Sequence, residues 1–436
     1  MSVTLIIFVT ICVCILLIGI GSPIFLALSS AGILGIFLEG GFGGLSLIQT
    51  TIFGSVSKFT LIAAPLFILM GEIIFHSGVS SDLFKFLSRV FRRLPNGLAI
   101  ATILASAIFG AMCGVSIAAV ATISVIALPE MLKRGYDPKL AAGAVCAPGA
   151  LAMLIPPSLL FILYGEVAGV SVGKLFTAGI LPGILLAGLM SLYVVFSSFI
   201  SPNKNIITDE FDKEHAESFS KTTLRLAAPS GLIMVVLGSI YLGIATPTES
   251  AAIGVFGAYF VAFFIYKSFT WENFKTTLVN TARISGMIFI IYVGAVIFTQ
   301  FLNLVRVPDI CAQFIVDGNL SPWVTMLVIQ LMLLVLGMFV DGGSMVMIIT
   351  PILLPTMMAL KWDPIWFGVL MVTNIEMAVI TPPVGLNLYT LASVTNAVDM
   401  KTIIKGTLPY VGVIMVGLII LIAFPQISLW LPSLMH

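Results

Sequence analysis

LPEMLKRGYDP at 128–138 and LPTMMALKWDP at 354–364 are two versions of one segment. A second pair follows each of them, IPPSL at 155–159 and TPPVG at 381–385. Pro129 pairs with Pro355, Asp137 with Asp363, Pro138 with Pro364, Pro156 with Pro382 and Pro157 with Pro383, always 226 residues apart. One inserted residue later, Lys174/Lys401, Gly179/Gly406 and Pro182/Pro409 keep an offset of 227, as does Pro95/Pro322 upstream. A near-constant offset over so long a stretch marks an internal duplication.

Between the halves lies SPNKNIITDEFDKEHAESFSKTTLR, 201–225, with nine of the thirty-nine charged residues of the chain. It reads as a solvated linker separating a first repeat, 1–200, from a second, 226–436. Elsewhere the chain is apolar: 59% hydrophobic and 9% charged residues, where soluble domains carry about 25% charged. Stretches of ~20 apolar residues, long enough to span a bilayer, recur from end to end. Met1–Ile20 lacks a basic leader and a small-residue cleavage site, so it reads as a retained span. A net charge of +1 argues against a nucleic-acid partner. The five cysteines have neither disulfide nor metal spacing, and the three histidines are isolated.

Topology follows from charge. Lys85, Arg89, Arg92 and Arg93 precede the apolar stretch 97–131, and Lys133, Arg134 and Lys139 follow it, placing both ends in the cytoplasm. GAMCGVS (110–116) divides that stretch into arms too short to cross, so it reads as a re-entrant hairpin with its tip inside the membrane. Spans near 3–20, 23–39, 59–78, 140–167 and 175–199 complete the first repeat. Five crossings invert the second, with spans near 227–245, 248–266, 284–303, 365–390 and 407–431 and a hairpin at 322–360. The expected fold is an all-α polytopic membrane protein of two inverted repeats, with ten transmembrane helices and two opposed hairpins. Both termini and 168–174 are expected outside, with 85–93 and 201–225 in the cytoplasm.

Inverted repeats with broken helices place their binding sites near the bilayer midplane. Proline pairs inside a span free carbonyls one turn earlier, and half-helix N-termini favour anions. A first sodium site is expected from Gly110, Gly114 and Ser116 with Cys146, Ala147, Pro148, Gly149 and Pro156. A second comes from Gly337, Asp341, Gly342, Gly343 and Ser344 with Asn374, Glu376, Thr381 and Pro382. Ser158, Gly385 and Asn387 are the candidate solute contacts between them. Asp341 and Glu376 are intramembrane acids, which are costly and usually functional; the alternative for each is a structural hydrogen bond to neighbouring backbone. Single glycines often serve only helix packing. Glu72 and Glu249, nearer helix ends, read as structural.

The same residues resemble the large membrane subunit (M, or DctM-type) of the tripartite ATP-independent periplasmic transporters. The matching stretches are PLFILMGEI (65–73), FGAMCGVSIAAVATI (109–123), MLIPPSLLFILYGE (153–166), GIATPTESAA (243–252), DGGSMVMIITPILLP (341–355) and ITPPVGLNLY (380–389). The resemblance implies a bacterial inner-membrane location, sodium coupling and an elevator motion. The moving domain would be 97–167 with 322–390, and the scaffold the rest. It also implies a periplasmic substrate-binding protein and a four-helix Q subunit, expected as a separate polypeptide. The family carries carboxylates, from C4-dicarboxylates to sialic acid. No residue decides among them, and the separate-subunit layout and overall likeness lean towards sialic acid.

Other classes have less support in the residues. An intramembrane enzyme needs a nucleophile with a base or a metal pair such as HExxH, and an ATP-driven pump needs GxxxxGK[ST]; neither motif occurs. A passive channel, or an ion-coupled anion transporter without a binding protein, stays open, because re-entrant loops also build filters. The only metal expected is sodium as co-transported cargo, with no transition metal.

Overall fold

The computed structural model describes residues 2–200, 219–318 and 321–435. These residues are helical throughout, with no strand among them. Most of linker 201–225 falls outside the described residues, but 219–225 already belong to a helix. The last turns of the expected linker are therefore the start of the second repeat.

The first repeat runs α1 (Val3–Gly19), α2 (Ile24–Val56), α3 (Ala63–Ser77) and α4 (Val79–Val90). A hairpin of α5 (Gly97–Cys113) and α6 (Ser116–Lys133) follows. Next comes a broken helix: α7 (Pro138–Cys146), a tight turn at Ala147–Met153, and α8 (Leu159–Ala168), closed by α9 (Val172–Ile200). The second repeat runs α10 (Phe219–Tyr241), α11 (Pro247–Phe260), α12 (Trp271–Leu304) and α13 (Val307–Asp317). Its hairpin is α14 (Pro322–Gly337) and α15 (Gly342–Ala359), and its broken helix is α16 (Pro364–Ala378) with α17 (Leu386–Val394). Then come α18 (Met400–Ala423) and α19 (Gln426–Ser433).

Nine helical stretches among the described residues are long and apolar enough to cross a membrane. The hairpin arms and broken-helix halves supply shorter apolar segments. Large exposed apolar side chains such as Phe53, Phe256 and Leu327 face outward, as a lipid solvent permits.

Several boundaries differ from the sequence reading. α2 continues to Val56 through a kink at Gly41, where φ is +58°. α12 begins at Trp271, not 284, because the Thr270 hydroxyl caps it by accepting the Asn273 amide at 3.2 Å. Lys275 and Arg283 therefore lie on a helix, not in a loop. The expected span 407–431 is interrupted at Phe424–Pro425.

The Asp-Pro pairs of the duplication have a local cause. Asp137 accepts the Lys139 amide at 2.9 Å, and Asp363 accepts those of Ile365 and Trp366 at 2.8 and 3.2 Å. Each carboxylate caps a helix whose first residue is proline, the position where a missing amide proton costs nothing.

Two layers of contact organise the rest. α2 packs along α12, with Gly32 and Gly35 against Phe298 and Phe301. Around the broken helices, α7 meets α18 so closely that a Cβ on Gly143 would lie 2.2 Å from the Gly406 carbonyl oxygen. The two repeats are bonded here. The Tyr164 hydroxyl donates to the Pro364 carbonyl at 2.6 Å across the repeats, and within the second repeat the Trp366 indole donates to the Leu421 carbonyl at 2.9 Å.

Candidate functional site

The first hairpin turns at Gly114, where φ is +66° and the amide bonds the Gly110 carbonyl at 2.7 Å. Its tip lies directly on the first broken helix. A Cβ at Gly110 would sit 2.5 Å from that of Ala152, and one at Gly114 would sit 2.9 Å from the Pro157 carbonyl oxygen. Gly149 abuts Val120 of α6, and Cys146, Ala147 and Pro148 are buried beside it. The residues grouped as the first sodium site are thus brought together, with Pro156 at the end of the break. Pro156–Pro157 and Pro382–Pro383 are both cis.

The second hairpin repeats the arrangement. Gly337 abuts Ala378, and Gly342 abuts Ile375, both on α16. Asp341 caps α15, accepting the Ser344 amide at 3.0 Å and the Ser344 hydroxyl. Gly343 lies against the same carboxylate. Pro382 follows Thr381, whose hydroxyl donates to the Met377 carbonyl at 2.6 Å.

Two details redraw the site. Asn374 and Glu376 are two positions apart on α16, so their side chains leave opposite sides of the helix. Asn374 donates to the backbone carbonyl of Gln330 at 2.8 Å and to its side-chain oxygen at 2.7 Å. Its own side-chain oxygen is buried without a partner. Glu376 is 2% exposed, and neither of its oxygens has a partner. An unpaired charge at such depth is strongly unfavourable, so this carboxyl carries a proton or meets a cation.

The other change concerns Asn387. Its amide nitrogen donates to the Ser116 hydroxyl at 2.7 Å, and that hydroxyl donates back to the Asn387 oxygen at 3.1 Å. Ser116 and Asn387, expected in different sites, are one unit that ties the first hairpin to the second repeat's break. Gly385 begins α17 with φ +56° beside it. Ser158 donates to the Met153 carbonyl and caps α8 through the Phe161 amide at 3.3 Å. The hydroxyl protons of Ser158, Ser344 and Thr381 are thus engaged within the protein, and the backbone carbonyls of the breaks, with the unpartnered side-chain oxygens of Asn374 and Glu376, are the free oxygen ligands.

Glu249 completes a capping box with Thr246, as befits a structural acid. Glu72 accepts from Asn280 at 3.1 Å. Sequence reasoning missed Gln330, which orients Asn374, and a cluster at the end of α8. There Glu166, within the quoted MLIPPSLLFILYGE, pairs with Lys58 and accepts from the Thr60 hydroxyl. Glu166 and Lys58 are 108 residues apart, and no local pattern links them.

Two hairpins facing two broken helices in one helical body define a multi-span secondary-transporter architecture. The solved structures agree at the level of fold. MtrF of Neisseria gonorrhoeae, described as an antimetabolite efflux pump, aligns with a TM-score of 0.62 at 13% identity, covering 90% of this chain and 85% of that one. The YdaH transporter of Alcanivorax borkumensis aligns at 0.61 and 17% identity, covering 97% and 99%. Residues 11–427 match the family described as tripartite ATP-independent periplasmic transporter, DctM component, and the chain belongs to that family.

The C4-dicarboxylate large permease protein DctM of Vibrio cholerae is 33% identical over 95% of both chains. That of Pseudomonas aeruginosa is 35% identical over 88% of both. The isethionate permease protein DctMQ of Oleidesulfovibrio alaskensis matches 94% of this chain, which spans 64% of its length. The chain is therefore a multi-pass inner-membrane permease subunit, not an enzyme, and its family role implies a small membrane subunit and a periplasmic binding protein.

Proposed function

We propose that this subunit takes up a small carboxylate together with sodium ions, by movement of the hairpin-bearing body against the other helices. The observation that carries the reading is the pair of tip-to-break contacts, Gly110 on Ala152 and Gly337 on Ala378, at repeat-related positions. Each contact concentrates glycine backbone and interrupted helix, where carbonyl oxygens are released from helical bonding. Such backbone suits sodium, while half-helix N-termini suit an anion. Glu376, buried and unpartnered, adds a negative charge that a cation would compensate.

The moving body proposed is 97–167 with 322–390. Its packing extends the proposal to α9 and α18, first grouped with the scaffold. Gly179 of α9 lies against the Leu154 carbonyl, and Gly406 of α18 lies against that of Lys139. Such close backbone contact supports grouping these two helices with the moving body.

For the solute, a C4-dicarboxylate is supported by relatives of 32–35% identity bearing that name. The sialic acid permease protein SiaM of Vibrio cholerae is 28% identical and keeps sialic acid in the same panel. The test is uptake into proteoliposomes holding the chain and its small subunit, with the cognate binding protein outside. Concentrative accumulation of one carboxylate that collapses without a sodium gradient supports the reading. Equilibration without accumulation would indicate a passive channel, and uptake without the binding protein a different transporter class.

A further inference from the structure

At three left-handed turns the first repeat has glycine where the second has a cation: Gly41/Lys267 and Gly135/Lys361 at an offset of 226, and Gly78/Arg306 near the same register. In the first repeat α3 turns into α4 through Gly78, with φ +88°. In the second, α12 turns into α13 through Arg306, with φ +55°. The two positions are 228 residues apart, one beyond the 227 register of the repeat. A left-handed residue at a helix end is ordinarily glycine, which has no Cβ to crowd the backbone. The first repeat uses that residue, and the second places a large cation in the same strained turn.

That side chain lines a cavity of about 350 Å³, in the size range of small-molecule sites. Asn303 and Thr299 of α12 line it with Arg306, and the Thr299 hydroxyl is buried without a partner. Pro351 and Pro355 of α15 supply an apolar wall, and Asp309 of α13 also lines the cavity. The cavity thus lies between α12 and α13 on one side and α15 with the end of α8 on the other. By the Lys/Arg asymmetry this end of the molecule faces the periplasm.

We propose that this cavity is a carboxylate-binding vestibule, which a solute occupies before it reaches the hairpin tips. The proposal rests on the transport reading above and adds a site to it. Arg306 presents a planar fork matched to a carboxylate. The Asn303 amide is a donor for a second carboxyl or hydroxyl oxygen. The proline wall receives a short carbon skeleton, and Asp309 opposes additional negative charge.

The experiment uses the complete membrane complex in proteoliposomes, with saturating binding protein and a panel of radiolabelled carboxylates including succinate and sialic acid. R306Q should raise the solute concentration for half-maximal uptake about tenfold, as loss of a charge-assisted pair does. Its sodium dependence should match the parent. R306K should recover part of the loss, because it restores charge without the fork. R306G, the residue the first repeat uses, should keep a thermal midpoint at or above the parent while transporting as poorly as R306Q. D309N should lower the half-maximal concentration.

Parental uptake by R306Q and R306G would overturn the proposal. So would a defect present only below saturating binding protein, which would make Arg306 a docking contact for that protein. A weaker D309N would overturn the carboxylate class. Sodium-independent uptake by the parent would defeat the coupling reading instead, and the R306Q comparison would still decide the vestibule.

Discussion

Ser116 and Asn387 hold each other by two hydrogen bonds, 2.7 and 3.1 Å long, across 271 residues of sequence. Both side chains are fully buried or nearly so. The contact joins the start of α6, at the first hairpin tip, to the second repeat's break. It makes the two repeats one body at the place where ions and solute are proposed to bind.

Removing either partner leaves the other buried and unpaired, at a cost of about 1–3 kcal/mol. S116A and N387A should each lower the thermal midpoint of the purified complex, and the double variant should lose less than the two losses combined. S116A should also raise the half-saturating sodium concentration mildly, since backbone carbonyls remain. Additive losses with a parental sodium curve would show that the pair is not a coupled unit and that Ser116 is no ligand.

Asp341 and Glu376 separate capping from ion binding. Asparagine caps a helix about as well as aspartate, so D341N should stay within about 0.5 kcal/mol of parental stability, the scatter of a benign substitution. E376Q keeps the shape and removes the need for a proton or a cation at this buried position, so its stability should match or exceed the parent. If these acids face sodium, both variants should need more of it for half-maximal uptake while inserting normally. Parental sodium curves in both would make the two carboxyls structural.

Lys58 and Thr60, in the connector between α2 and α3, meet Glu166 at the end of α8. This contact crosses the boundary proposed between moving body and scaffold. A K58C/E166C pair on a cysteine-free background, bridged by a reducible bifunctional thiol reagent that spans the ion-pair distance, should abolish uptake and leave binding-protein docking intact. Reduction should restore uptake. Full transport by the crosslinked protein would defeat the proposed division.

The charge asymmetry gives a topological test. Single cysteines in 168–174 should react with an impermeant reagent added outside, and those in 85–93 and 201–225 should react only after permeabilisation. Strong external labelling of 201–225 would overturn the orientation.

Much of the fold was legible because its signals are local or periodic. Apolar length announces spans, and glycine-rich interruptions announce hairpin tips. The Asp-Pro pairs of the duplication are helix caps at Asp137 and Asp363, a geometry completed within three residues. The extra turns of α12 were less visible, because the cap at Thr270 competes with charges that read as loop.

Repeat arithmetic alone marked the duplication and the paired proline breaks, and charge with glycine-rich interruptions marked the two hairpins. They left open which buried groups find partners, because those partners lie far along the chain and are set by packing. Only the folded body placed Asn387 on Ser116, left Glu376 buried without a partner, and joined Glu166 to Lys58. Arg306 shows the same division. Its residue type is plain in the sequence, but its left-handed backbone and its cavity exist only where α8, α12, α13 and α15 converge.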